Sequence, residues 1–183
     1  PDAAGGLIMA VLTAAARAAR VGMLVLDVDG VLTDGRVVYD DAGRELKFFD
    51  VRDGHGVKLW QRAGGQMAWL SGRGCEANRV RARELGVDQL LERVKVKLPA
   101  LEELMDRNRL SPEQVAYMGD DLIGLPPMRA VGLALAPADA IPEVAATAHW
   151  VAGLPGGRGA VRQAIEFLLK SSGAWTEVTA RYR

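Results

Sequence analysis

Two aspartates, Asp27 and Asp29, close the apolar run Met23-Leu24-Val25-Leu26, and Gly30 follows them. Residues two apart on an extended chain share a face, and Gly30 permits a turn just beyond. Both carboxylates are therefore expected to point into one small cavity. Two acids that close resist ionisation unless a cation lies between or beside them. Mg²⁺ suits such a site, because it takes hard oxygen ligands and keeps waters that a phosphate can replace. Ser71 ends a second apolar run, Gln66 to Leu70, and Asp120 and Asp121 follow a third, Val115 to Met118, after Gly119. Lys97 falls between them, at the start of a helical stretch; Lys95, two residues earlier, is its competitor. A carboxylate can attack phosphorus to give an aspartyl-phosphate. A serine hydroxyl, a lysine and a divalent cation supply the positioning and charge neutralisation that phosphoryl transfer requires.

These residues share a chemistry only if the fold brings three strand ends together. The apolar runs are short and do not alternate, which marks parallel strands buried on both faces. Helical patterns separate them, so the expected architecture is α/β, a doubly wound Rossmann-like parallel sheet. Ligands bind such sheets at the carboxyl ends of the strands. Helices are expected over 7–19, 57–63, 76–85, 98–108, 122–130, 142–148 and 159–170, the 122–130 helix being interrupted by Pro126-Pro127. Residues 51–56 read as a polar loop, with Asp53 or Gly54 opening the helix behind it. Residues 36–49 read as a β-hairpin turning around Tyr39 to Arg44. Its strands are apolar enough to need a partner surface, and a neighbouring subunit is one candidate. The organisation is an N-terminal helix over 1–20, one domain over 21–170 and a flexible polar tail over 171–183.

Composition narrows the class. Lys plus Arg and Asp plus Glu are 23 each in 183 residues, so there is no basic excess to hold nucleic acid. A net charge of zero favours self-association. The single cysteine, Cys75, cannot make an internal disulfide, which fits a reducing compartment. No apolar run reaches membrane-spanning length. The apolar stretch Leu7 to Ala19 has no basic residues before it, so it reads as a helix rather than an export signal, and a cytoplasmic protein is expected.

Asp27-Val28-Asp29-Gly30-Val31, then Ser71-Gly72-Arg73, then Lys97, then Gly119-Asp120-Asp121 resemble the four ordered motifs of the haloacid dehalogenase-like phosphatases. The resemblance implies that Asp27 is the nucleophile and Asp29 the general acid/base. It implies that Ser71, Gly72 and Lys97 hold the phosphoryl group. Asp27, the backbone carbonyl of Asp29, and Asp120 would bind Mg²⁺, with Asp121 as an auxiliary carboxylate. Val51-Arg52-Asp53-Gly54-His55-Gly56, the hairpin before it, and Gly156-Gly157-Arg158-Gly159-Ala160-Val161-Arg162 are similar to a cap-less branch of that family, the 3-deoxy-D-manno-octulosonate 8-phosphate phosphatases. That branch implies a small sugar-acid phosphate as substrate, with Arg73, Arg52 and Gly54 as substrate-binding candidates. It implies no separate cap domain, and a homotetramer in which hairpins assemble and a neighbour helps to close each site. Gly124 stands where many of those proteins carry an acid or Asn, which leaves the support of the metal to Asp121.

Blander roles compete at several positions. Asp29 could cap its own turn, and Asp121 could cap a helix. Arg73, Arg52 and Arg158 could be solvated, as could Arg79, Arg81 and Arg83 on one helix. His55 reads as a packing residue, Cys75 as inert, and Trp60, Trp69 and Trp150 as core. Gly156 to Gly159 does not follow the first strand, which excludes a dinucleotide site. Three other functions stand beside the leading one: a nine-carbon sialic-acid-type 9-phosphate phosphatase, a phospho-accepting receiver module, and a non-catalytic oligomerisation module.

Overall fold

A computed structural model describes residues 12–183. The first seven residues of the expected 7–19 helix include five, 7–11, that lie outside the described residues; inside them, Thr13 caps a short helix α1, Ala14–Ala18. Six parallel strands follow in one sheet. In chain order they are β1 (Met23–Leu26), β4 (Gln66–Leu70), β5 (Gln89–Leu91), β6 (Val115–Met118), β7 (Leu133–Ala136) and β8 (Trp150–Val151). In space the order is β5-β4-β1-β6-β7-β8. The chain builds outward from β1 through β4 to β5, then crosses back to lay β6 on the other side of β1. That reversal makes the carboxyl ends of β1 and β6 the switch point where a crevice opens.

Side chains alternate across the sheet with period two. Leu24 and Leu26 of β1 and Ala116 and Met118 of β6 enter one core with α1, α2 (Val51–Arg62), α3 (Glu76–Leu85), α7 (Ala160–Ser171) and α8 (Trp175–Thr179). Met23 and Val25 of β1 and Val115 and Tyr117 of β6 enter a second core with α4 (Lys97–Asn108), α5 (Leu125–Ala130) and α6 (Pro142–Thr147). β1 is fully buried on both faces, as its continuous apolar run requires.

The structure departs from expectation in four places. Residues 51–56 are not a loop: Asp50 caps α2 by accepting from Arg52 N, and the helix starts at Val51. Gly54 and Gly56 sit inside it because neighbours come too close for a side chain. A Cβ on Gly54 would press on Leu85 at 3.3 Å, and one on Gly56 would lie 3.2 Å from Arg162 Cα. The expected 122–130 helix is a 3₁₀ turn, Leu122–Gly124, followed by α5. Pro126 and Pro127 fall in the first turn of α5, where the missing N–H groups have no intrahelical partner. Arg81 is not a solvated residue, since its guanidinium lies over the Phe49 ring, 6.0 Å from the centroid. Residues 171–183, expected as a polar tail, turn at Gly173 and continue as α8 and a 3₁₀ turn. Val178 is buried there, and the Tyr182 hydroxyl is 3.0 Å from His55 Nε2 on α2.

The hairpin is short. β2 (Val38–Tyr39) pairs antiparallel with β3 (Glu45–Leu46), in register Val38 to Leu46 and Tyr39 to Glu45. Asp40 closes its turn by accepting from the N–H groups of Ala42 and Arg44.

Asp53 ties α2 to α7. It is buried and accepts from Gly159 N at 3.1 Å and Arg162 N at 2.7 Å, capping a helix whose own N-cap residue is glycine. Burial pushes its carboxyl up to about 6 against the pull of those two N–H groups. Asp53→Ala removes the cap and strands both donors. The expected cost is about 2 kcal/mol, measured as a lower denaturant midpoint with an unchanged slope.

Candidate active site

The end of β1 extends one residue beyond the strand, where Asp27 N donates to Met118 O of β6 at 3.0 Å. The chain then turns, with the N–H groups of Leu32 and Thr33 both donating to Val28 O. Val28, Val31 and Leu32 are buried in the core beneath this turn and anchor it. Gly30 has φ +79°, and a side chain there would collide with the Asp120 carboxylate. On the other side of the turn, a side chain on Gly156 would collide with the Gly30 carbonyl, and Gly157 N donates to Val31 O at 3.0 Å. The Gly156–Gly159 stretch is thus a packing element that presses on the Asp27–Asp29 turn.

Asp27 continues the β1 alternation toward the α4 side. Asp27 is 4 % exposed; its carboxyl accepts from Val28 N at 2.7 Å through Oδ1 and pairs with Lys97 Nζ through Oδ2. Lys97 is the first residue of α4, is 2 % exposed, and also donates to the Tyr117 hydroxyl at 3.3 Å. Lys95 is exposed. Of the two lysines, only Lys97 meets the carboxylates. Burial pushes the Asp27 carboxyl up, against the charge and hydrogen bond of Lys97. Tyr117 is pushed up strongly by burial, with Asp27 and Asp120 adding to it.

Ser71 follows β4 and is fully buried. Its N–H donates to Leu91 O, and its Oγ accepts from Arg73 N at 3.2 Å. Asp120 follows β6; burial, then the charge of Asp27, pushes its carboxyl up to about 7. Asp121 accepts from its neighbour Leu122 N at 2.7 Å, so it caps the 3₁₀ turn while facing the site.

A cavity of about 210 Å³ lies between these groups, lined by Asp27, Asp29, Gly30 and Gly35 on one side and Gly72, Arg73, Asp120, Asp121 and Ile123 on the other. Ser71 and Lys97 lie buried at its edge through their contacts with Arg73 and Asp27. Drug-sized ligands occupy roughly 300–1,000 Å³, so this volume suits the phosphate end of a substrate and leaves the rest at the mouth. Arg52 and Gly54 lie elsewhere. Arg52 pairs with Asp50 and lines a second pocket with Asp34, Arg36, Phe48, Gly157 and Arg158. Gly54 is buried at the α2–α3 contact.

One residue escaped the sequence analysis. Lys47, just beyond β3, has a side chain only 1 % exposed and pairs with Asp29 Oδ1. The signal was the hairpin's period of two. Leu46 and Phe48 face outward, so Glu45 and Lys47 must face in.

No group of three or more His, Cys, Asp or Glu side chains among the described residues stands in ligating arrangement. Magnesium does not need one, because it binds through one or two carboxylates and keeps several waters. Asp27 has Lys97 and Asp29 has Lys47, whereas no lysine or arginine among the described residues pairs with Asp120. Asp120 with its raised carboxyl, beside Asp27, is where added positive charge is most needed, and the residues fit Mg²⁺.

No protein-family model matches the chain. The 3-deoxy-D-manno-octulosonate 8-phosphate phosphatase KdsC of Yersinia pestis is 43% identical over 153 residues, 84% of this chain and 82% of that protein. The Escherichia coli protein of the same name is 41% identical, covering 88% of this chain and 86% of its own. This chain belongs to the 3-deoxy-D-manno-octulosonate 8-phosphate phosphatase family. A solved structure of that phosphatase from Moraxella catarrhalis, in complex with a magnesium ion, a phosphate ion and a KDO molecule, superposes with a TM-score of 0.91 at 30% identity, over 93% of this chain and 98% of that one. The fold is that of the haloacid dehalogenase-like hydrolases, and the receiver and non-catalytic alternatives fall away with family membership.

The two lysines provide a direct check. Lys97→Met is expected to lower phosphatase turnover by about 10²-fold or more, since it removes the charge facing Asp27. Lys95→Met is expected to leave turnover within about twofold, as for a solvated side chain. Steady-state phosphate release distinguishes them.

Proposed function

We propose that this chain is a Mg²⁺-dependent phosphatase that hydrolyses 3-deoxy-D-manno-octulosonate 8-phosphate to the free sugar acid and phosphate. The observation that carries this is the convergence of Asp27, Asp29 and Asp120 on one cavity at the sheet's switch point, with Lys97 beneath. The same substrate names the relatives that cover most of the chain.

The phosphoryl group enters the cavity, held by the Ser71 hydroxyl, the Gly72 backbone and Lys97. A carboxylate oxygen of Asp27 attacks phosphorus. The bond from phosphorus to the sugar oxygen breaks, and Asp29 gives that oxygen its proton. Asp29 then takes a proton from water as the water attacks phosphorus, and the bond to Asp27 breaks. Asp27, the Asp29 carbonyl and Asp120, with Asp121 nearby, would hold Mg²⁺, which would supply positive charge to offset that of the phosphoryl oxygens. Arg73 at the cavity mouth is placed to meet the substrate carboxylate, and Arg52 in the adjoining pocket is the second candidate.

Self-association completes the proposal. Val37, Tyr39, Leu46, Phe48 and Val51 are 51%, 58%, 44%, 60% and 78% exposed around the hairpin. An apolar patch of this kind marks an interface, and we assign it to a homotetramer that closes each cavity. A cytoplasmic setting fits the lone thiol of Cys75, and no helix among the described residues is long and apolar enough to cross a membrane.

Phosphate release from the 8-phosphate should be abolished by chelator, restored by Mg²⁺, and about 10²–10⁴-fold slower in Asp29→Asn. Release from a sialic-acid 9-phosphate alone would overturn the substrate assignment. Phe48→Glu should break the assembly into smaller species in sedimentation equilibrium, where the wild-type protein runs at four times the chain mass.

A further inference from the structure

Asp29 is held from outside the sheet. Its Oδ1 pairs with Lys47 Nζ, and Oδ2 has no hydrogen-bond partner among the described residues. Lys47 is itself fixed: its side chain is 1 % exposed, and Glu45 Oε1 lies 3.6 Å from Nζ. Glu45 also accepts from Arg73 at 3.2 Å through Oε2, and the Tyr39 hydroxyl accepts from Arg73 at 3.3 Å. One short hairpin therefore reaches both the carboxylate that exchanges protons and the arginine at the cavity mouth.

A lysine chain loses much rotamer freedom when buried, and its ammonium loses hydration. Two carboxylates offset that cost, at fixed positions on either side. The result is a carboxylate with one oxygen held by Lys47, on a residue that lines the cavity. Proton transfer depends steeply on such alignment, and a displacement of 1 Å can cost about 10²-fold in rate. The two carboxylates that follow β1 are matched in this respect. Lys97 reaches Asp27 from α4, and Lys47 reaches Asp29 from the hairpin.

We propose that Lys47 is a positioning residue for Asp29, fixing its carboxylate for both proton transfers, with Glu45 fixing Lys47. The β2–β3 hairpin is then part of the acid/base apparatus as well as an apolar surface. This rests on the acid/base role of Asp29 proposed above.

The test uses the full chain with Mg²⁺ and the sugar-acid 8-phosphate. Lys47→Met keeps the length of the side chain and removes its charge. It should lower kcat on the order of 10–100-fold and leave KM within about threefold, because Lys47 does not touch the phosphate. Combined with Asp29→Asn it should lose no more than Asp29→Asn alone, since the two act as one unit. Lys47→Ala in ethylammonium buffer should recover part of its kcat, and Asp29→Asn should not; this arm also covers a poorly folded Lys47→Met. A Lys47→Met protein with wild-type kcat beside a crippled Asp29→Asn overturns the positioning role and leaves the function intact. So does a fully additive double variant, or an alanine variant that ethylammonium does not rescue. An Asp29→Asn protein as active as wild type overturns the acid/base role, and the positioning role with it.

Discussion

Asp27 ends a strand buried on both faces, and the charge it carries there has to be met by Lys97. A buried carboxylate without a cation gives up its charge, and an ionised one is what a nucleophile requires. Much of the architecture serves that pairing. The crossover from β5 to β6 carries the chain to the far side of β1 and places the first residue of α4 against the β1 end. Tyr117, one strand over on the same face, gives Lys97 a neutral hydrogen-bond partner in place of a second charge. Burial, with the charge of Asp27 adding to it, raises the Asp120 carboxyl, and no lysine or arginine among the described residues pairs with it, which suits it to a metal.

The turn after β1 carries both Asp27 and Asp29 and is held on two sides. It is held by apolar side chains below and by backbone-to-backbone packing above. Val28, Val31 and Leu32 plug the core, Gly156 meets the Gly30 carbonyl too closely for a side chain of its own, and the Asp120 carboxylate leaves no room for one on Gly30. The α2–α7 contact behind it depends on Gly56 for close approach and on buried Asp53 for the start of α7. Glycines that look like loop residues in the sequence are therefore close-packing residues in the fold.

The hairpin is the least sheet-like element and does two jobs. Its outward side chains are apolar and exposed, and its inward ones are Glu45 and Lys47. Period-two alternation separates the two sets. The exposed apolar surface is thus continuous with a lysine that pairs with Asp29.

The strands, the α/β class, and the acids and serine at three strand ends were legible in the residues alone. Buried parallel strands are continuous apolar runs, and polar residues can follow them only where the strand leaves the core. Family motifs added the roles of those residues, and Lys97 was preferred over Lys95 for its place at a helix start. What depends on contacts between distant segments came from the folded chain. The helix over 51–56 was hidden because two glycines normally weaken a helix, and only its neighbours α3 and α7 show why they are there. The ordering of residues 171–183 rests on Val178 and Tyr182 docking on other elements, which composition does not reveal. Lys47 was missed for the same reason. A lysine in a hairpin is ordinary, and its meaning lies in Asp29, which the fold brings to it from 18 residues away.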